Sequence, residues 1–389
     1  TPKPSSAASD VYKRQPQQRN WASTRRGGGG RAAAPQGCPA QAGPHAHCTE
    51  SDPGPTTAAR CGTVAAMGKP PHVVPESLSQ HAFTTAQAAV AGVSPAQLTR
   101  GPYVRVSRGV WQADQRDAVA DHVRELRRLL PAMLQAQPGA AASHVTAAAL
   151  LGLRVPNRLR MTWPIHLVSP DPKLLMRSPG IIAHRLLPRL TPLIEFEGVV
   201  VTSPARTAVD LAGAAQGRWP LLDDDALVAV LDGIICTHTT GIRKDLPALR
   251  SREQLERELR ELPGVRGVAR IKRALQRTAA AVDSALETEA RLCLERFGET
   301  RWVTDLEVSA PNGSCFWPDL ADDEDRLSLQ VEGPHHARGD QLRKDILRRR
   351  LTEAAGWQEL RVTAEDLRGH RPALIDMIRR ARRPSPFAE

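Results

Sequence analysis

Asp319, Gln330 and Glu332 carry the residue types and spacing from which a reaction centre could be built. Gln330 and Glu332 sit two apart in Leu327-Ser328-Leu329-Gln330-Val331-Glu332. Period-two alternation puts Leu327, Leu329 and Val331 on one strand face and Gln330 and Glu332 on the other. Asp319 falls on the preceding strand candidate. Neighbouring strands lie about 4.8 Å apart, so the three side chains can meet at one cation. Mg²⁺, or Mn²⁺ in its place, takes oxygen ligands and keeps several waters, so two or three protein oxygens suffice. Such an ion generates hydroxide and neutralises the charge that develops in phosphodiester hydrolysis. His336, beyond the turn at Gly333, could activate water or protonate the leaving group. Glu287, three residues after Ser284, is either a further site carboxylate or a capping-box partner, with capping favoured. The blander alternatives are a turn role for Asp319 and a solvated strand end for Glu332.

The elements that must position these residues read as α-β-β-β-α-β-α. A helix opens at Ser284-Ala285-Leu286-Glu287. One strand is expected over 302–308, a second over Cys315–Leu320 after the Asn312-Gly313 turn, and a third over 327–332. A basic helix follows over 340–355, with Leu342, Ile346, Leu347 and Leu351 expected inward. Its Arg343, Lys344, Arg348, Arg349 and Arg350 would supply phosphate contacts. Asp345 and Arg348 would otherwise form a surface ion pair. Gly356 caps the helix, Trp357 to Val362 make a last strand, and 366–380 a closing helix.

This ordered set resembles the PD-(D/E)XK nuclease superfamily, in its very-short-patch-repair-like (Vsr-like) endonuclease branch. The resemblance covers about 100 residues of the 389. It implies a restriction-endonuclease-like α-β-β-β-α-β core that cleaves DNA with Mg²⁺. By resemblance, Glu287 stands at the helix Glu and Asp319 at the strand Asp. Gln330 and Glu332 stand at the family's Glu-x-Asp pair, and His336 at its His. Gln341, Asp345 and Arg348 match the helix motif, and Gly356-Trp357 and Arg361-Val362 the last strand. Two departures bear on the chemistry. Gln330 replaces a Glu and removes a negative charge, and Glu332 replaces an Asp with a longer arm. Catalysis and binding without catalysis therefore both stay open.

Residues 75–112 read as helix, Gly turn, helix and hairpin, the winged helix-turn-helix pattern. Ser94 caps the second helix with Pro95 at its first position. The DNA-facing candidates there are Gln97, Thr99 and Arg100; the alternative is a small packing module. Residues 113–280 read as a mixed α/β middle domain. Helices are expected over 116–135, 224–233, 252–261 and 266–279, beside an Ala/Leu-rich helix ending near Gly152. Strands are expected around 167–168, 181–182 and 199–201. His144 and His184 sit singly at element ends, where capping or packing is the simpler role. Residues 80–212 resemble actinobacterial proteins related to AbiEi-type antitoxins. The resemblance rests on Thr84-Thr85-Ala86-Gln87-Ala88, Arg108-Gly109-Val110-Trp111, Ser143-His144-Val145-Thr146-Ala147-Ala148 and Thr202 to Leu211. It implies a DNA-binding regulator, the alternative to the endonuclease.

Composition frames these expectations. The net charge is +11. Residues 1–66 hold eight Lys/Arg against three Asp/Glu, and 338–383 hold thirteen against seven. The rest is neutral, so a DNA partner would be met locally. Residues 1–66 are low in complexity, with four consecutive glycines at 27–30, and read as a disordered or spurious tail before Met67. The six cysteines include no CxxC pair, which argues against a zinc-thiolate cluster and for a reduced cytoplasmic protein. No run of 18 apolar residues occurs, so no membrane partner is expected. The domain expectation is a tail over 1–66, a winged module over 67–112, a middle domain over 113–280 and a nuclease-like domain over 281–383.

Overall fold

The computed structural model describes residues 73–114, 121–160, 162–171, 180–216, 219–237, 247–333 and 339–382, without the side chains of 216, 219, 220 and 339–345. The low-complexity segment 1–66 and His336 lie outside the described residues.

Two capping boxes start the chain's first helices. Thr84 and Gln87 cap α1 (Thr85–Val90) reciprocally, and Ser94 and Gln97 do the same for α2 (Pro95–Arg100). Between them Gly92 takes φ +78, a conformation that suits glycine. β1 (Phe83–Thr84), β2 (Tyr103–Ser107) and β3 (Val110–Ala113) form an antiparallel sheet in the order β1-β3-β2. Leu78, Phe83, Ala88, Val93, Leu98 and Tyr103 close a small core of their own.

The middle of the chain is built on a five-stranded sheet. Its strands are β4 (Ala141–Ala142), β5 (Ile165–Ser169), β6 (Ile181–Arg185), β7 (Leu193–Phe196) and β8 (Val199–Thr202), in the order β6-β5-β4-β8-β7. β5 and β6 run parallel, with Val168 opposite His184. α3 (His122–Gln135) is capped by Asp121 and lays Val123, Leu126, Leu129 and Leu130 into the core. Five more helices share this core, of which the first packs directly on the sheet: α4 (His144–Leu150), α5 (Pro204–Gly213), α6 (Asp224–Ile235), α7 (Arg252–Arg260) and α8 (Val268–Leu275). A short pairing of β9 (Ala215–Gln216) with β10 (Trp219–Pro220) joins α5 to α6. β4 and β7 were not expected: two alanines carry no period, and Leu193–Phe196 sits between apparent loop residues.

The last third is layered. Its elements are α9 (Ala285–Arg296), β11 (Val308–Ser309), β12 (Cys315–Phe316), β13 (Leu320–Asp322), β14 (Leu327–Glu332), α10 (Gly339–Ala354), β15 (Gln358–Thr363) and α11 (Ala373–Ala381). β14 pairs antiparallel with β13 and parallel with β15, so α10 is the crossover. Leu327, Leu329, Val331, Leu360 and Val362 form a core with α9 and α11. Arg382, just past α11, donates to buried Asp322 at 2.7 Å.

Three expectations about this region need correction. The expected strand Cys315–Leu320 is two strands broken at Trp317-Pro318, where proline cannot donate to a ladder. The strand expected over 302–308 reduces to a bridge between Val303 and Ala321 and the two residues of β11. Ile346 and Leu347 are exposed, not inward. Leu351 is inward as expected, and the stripe of α10 runs through Arg348, Leu351 and Thr352 to Ala355 just past the helix. Among the described residues no helix is long and apolar enough to cross a membrane.

Candidate functional site

The polar face of β14 lies under α10. Ser328, Gln330 and Glu332 share it, and the parallel register sets Glu359, Arg361 and Thr363 of β15 opposite them. Phe316, Ser328, Gln330, Arg348, Thr352 and Glu359 gather around a shallow dimple on this face. Asp319, one residue before β13, is 1% exposed. Gln330 Nε2 donates to Asp319 Oδ2 at 2.5 Å, and the Val331 backbone N–H donates to the same oxygen at 2.8 Å. Asp319 and Gln330 are thus brought together as expected. Glu332 is on the same strand face, but its Oε1 accepts from Arg361 Nη1 at 3.0 Å.

This donor set does not suit a divalent cation. Turning the Gln330 amide oxygen toward Asp319 would set a partial negative charge against a full one, so the nitrogen faces the carboxylate. Asp319 Oδ2 already accepts two N–H bonds. The Arg361 guanidinium supplies the positive charge that a metal would bring to Glu332. Mg²⁺ needs oxygens directed at one point, and here Asp319 Oδ2 and Glu332 Oε1 are directed at separate nitrogen donors.

The other expected site residues fall as follows. Glu287 is 2% exposed and sits in the first turn of α9: its N–H donates to the N-cap Ser284 Oγ at 3.1 Å, while its Oε2 accepts from Asp283 N at 2.8 Å, one residue before the N–H that a capping box would use. Arg348 turns toward the sheet, 3.7 Å from Glu359 Oε2. Arg349 and Arg350 are exposed, and Arg349 Nε reaches Glu353 at 2.9 Å. Arg343 and Lys344 lie on α10. Gln97 Oε1 accepts from Ser94 N at 2.8 Å, closing the α2 cap, while Arg100 is exposed.

A second constellation escaped the sequence reading. His144 opens α4, His166 lies on β5 and His184 on β6. Among the described residues these three form the one group of His, Cys, Asp or Glu whose ligand atoms converge, all within 4.8 Å of one another. His166 Nδ1 and His184 Nε2 are 3.0 Å apart, and the rings of His144 and His184 stack with centroids 3.6 Å apart. Burial, with like charge from neighbouring rings and Arg206, holds all three neutral. His144 titrates well below its ordinary value, and His166 and His184 fall to about 4. Asp210 is beside them, with Oδ2 4.0 Å from His144 Nδ1. Burial raises its carboxyl to about 6 against the opposing pull of Arg206. Each histidine stands alone in the sequence, and only the β5–β6 register and the start of α4 assemble them.

Comparison with known proteins is sparse. The uncharacterized proteins MT2308 and Rv2248, from two strains of Mycobacterium tuberculosis, are each 29% identical to this chain over 279 residues. The match spans 70% of this chain and 89% of theirs. No family model matches the chain, and no solved structure does.

Proposed function

We propose that the chain is a DNA-binding protein whose C-terminal domain is a nuclease-like domain that binds without cleaving. The observation that carries this reading is the engagement of the acidic pair by the chain's own donors. Gln330 and Val331 hold Asp319, and Arg361 holds Glu332. Hydrolysis of a phosphodiester needs charge neutralisation and an activated water at the scissile phosphate. Here Asp319 accepts two neutral N–H bonds and Glu332 is paired with Arg361, so the oxygens that would hold an ion are already engaged. DNA affinity would come from exposed basic side chains, Arg349 and Arg350 on α10 and Arg100, Arg105 and Arg108 in the N-terminal module. Phosphate contacts of this kind position a protein on the duplex without reading sequence.

The pairing of α1 and α2 with the β2–β3 hairpin favours a second element of the reading. That module is the winged helix-turn-helix of an antitoxin-type regulator, and α2 is the segment offered to the major groove. The test is direct. The whole chain is incubated with supercoiled plasmid and labelled duplex in Mg²⁺ or Mn²⁺. The expected result is salt-dependent binding with the plasmid intact. Nicking that is lost in Asp319→Asn would establish the endonuclease instead, and absence of binding would remove DNA as the partner.

A further inference from the structure

We infer that His144, His166 and His184 form a binding site for a first-row divalent transition metal, with Zn²⁺ the expected ion. The three ligand atoms converge within 4.8 Å, and the closest pair is 3.0 Å apart. A zinc–nitrogen bond of about 2.0–2.1 Å sets tetrahedral donor pairs about 3.3 Å apart, so the His166–His184 pair is already close to the required spacing, and the His144 ring must swing out of its stack on His184 to complete the set. Imidazole nitrogen is a borderline donor that favours zinc, copper or nickel over Mg²⁺.

Three independent features point to an ion rather than to packing alone. First, the rings come from three elements, α4, β5 and β6, and the parallel register places His166 and His184 on adjoining strands. Second, His144 sits at φ +50, a left-handed backbone conformation for a residue that is not glycine. Such positions carry a conformational cost and cluster where geometry serves a ligand. Third, Asp210 Oδ2 is buried, has no hydrogen-bond partner and lies 4.0 Å from His144 Nδ1, which meets Ser143 Oγ at 3.1 Å; a shift of about 1 Å would bring the carboxylate into hydrogen-bond range of the ring. A carboxylate behind an imidazole fixes the ring's tautomer and leaves its other nitrogen for the metal. The nearby cation, Arg206, is offset by Asp210 Oδ1, which accepts from Arg206 Nε at 2.8 Å.

Without an ion, the close His166–His184 nitrogens share one proton. Metal binding moves that proton to the outer nitrogen of one ring, so no net proton release is required. Three imidazoles leave a fourth position for water. All three rings are partly exposed, which gives the ion a path in. The site is separate from Asp319 and Glu332, so its test does not depend on the DNA-binding reading.

The whole chain, stripped with chelator and dialysed against Zn²⁺, is expected to retain one zinc per chain by elemental analysis. Co²⁺ in its place should give visible ligand-field bands without a thiolate charge-transfer band, which separates histidine from cysteine ligation. H166A/H184A should lose both signals. His184→Gln, on an edge strand and close in size, should weaken binding while circular dichroism stays native. Asp210→Asn should weaken it about 10–100-fold. A folded wild-type chain that retains no zinc would overturn the inference. So would zinc retained at full stoichiometry by H166A/H184A, or a thiolate band in the cobalt spectrum.

Discussion

Exchanging the Gln330 amide for a carboxylate would set two acidic groups within hydrogen-bond distance on a buried face. In the present chain Gln330 Nε2 and Asp319 Oδ2 are 2.5 Å apart. In Gln330→Glu the donor is lost and like charge replaces it, so one carboxyl must stay protonated or a cation must enter. The expected outcome is a lower melting midpoint in chelator, by the equivalent of about 1–3 kcal/mol, with recovery in Mg²⁺ or Mn²⁺. A melting curve indifferent to divalent ions would show that the face cannot be returned to a metal site by one side chain. The same residue marks how far the site was legible. Alternation along 327–332 placed Gln330 and Glu332 on one face, because a strand's side-chain period is fixed. That Arg361 would take Glu332 was not legible, since it depends on the β14–β15 register and not on any local pattern. The histidine trio was less legible still: each ring is unremarkable until three separate backbones are brought together.

At the scale of elements, the close crossing of α5 and α8 depends on two glycines. A Cβ on Gly267 would meet Val209 O at 2.3 Å and Gly213 N at 2.7 Å, and its φ is +104. A Cβ on Gly213 would meet Arg266 O at 2.5 Å. Backbone atoms cannot rotate away, so Gly267→Ala must part the helices or strain the turn. It should cost at least about 1–3 kcal/mol, read as a lowered denaturant midpoint. Gly92→Ala, with a similar positive φ but open space around the added carbon, should cost less. Equal losses would mean that backbone conformation alone governs both. The helices and the Ser94 cap were largely readable because periodicity and caps are local, whereas the capping role of Gln97, read as a DNA-facing side chain, was not. Two kinds of element were not. Very short strands such as Ala141–Ala142 owe their pairing to neighbours. In α10 the inward stripe includes Arg348 and Thr352, since it covers a polar sheet face, and apolar residues alone mislead there.

Across the whole molecule, charge acts in two ways. The excess of +11 gathers toward the ends of the chain, and on the proposed reading the arginines of α10 meet phosphate. Removing Arg349 and Arg350 together should lower the salt slope of DNA binding by about two units, because each lost contact releases about one counterion fewer. An unchanged slope would move the contact to the N-terminal module. The second effect is on stability. His122 is 8% exposed and, through burial and then the nearby Arg160 charge, its pKa falls to about 4. The unfolded chain takes up that proton near pH 6.5, while the folded chain resists until about 4. The unfolded state therefore binds more protons over this window, and stability falls as pH falls through it. The stability is fully present above about pH 6.5 and lost progressively toward pH 4, on the order of 3 kcal/mol for this one group. In chelator, His166 and His184 act in the same direction. Asp210, raised to about 6, opposes them: its folded carboxyl takes a proton between about 6 and its ordinary value, before the unfolded one does. Because His122 lies outside the trio, His122→Gln isolates its share. Its melting midpoint should fall less steeply than that of the wild type between about pH 7 and pH 5. Parallel slopes would mean that His122 opens to solvent before the rest of the fold and does not contribute to the acid response.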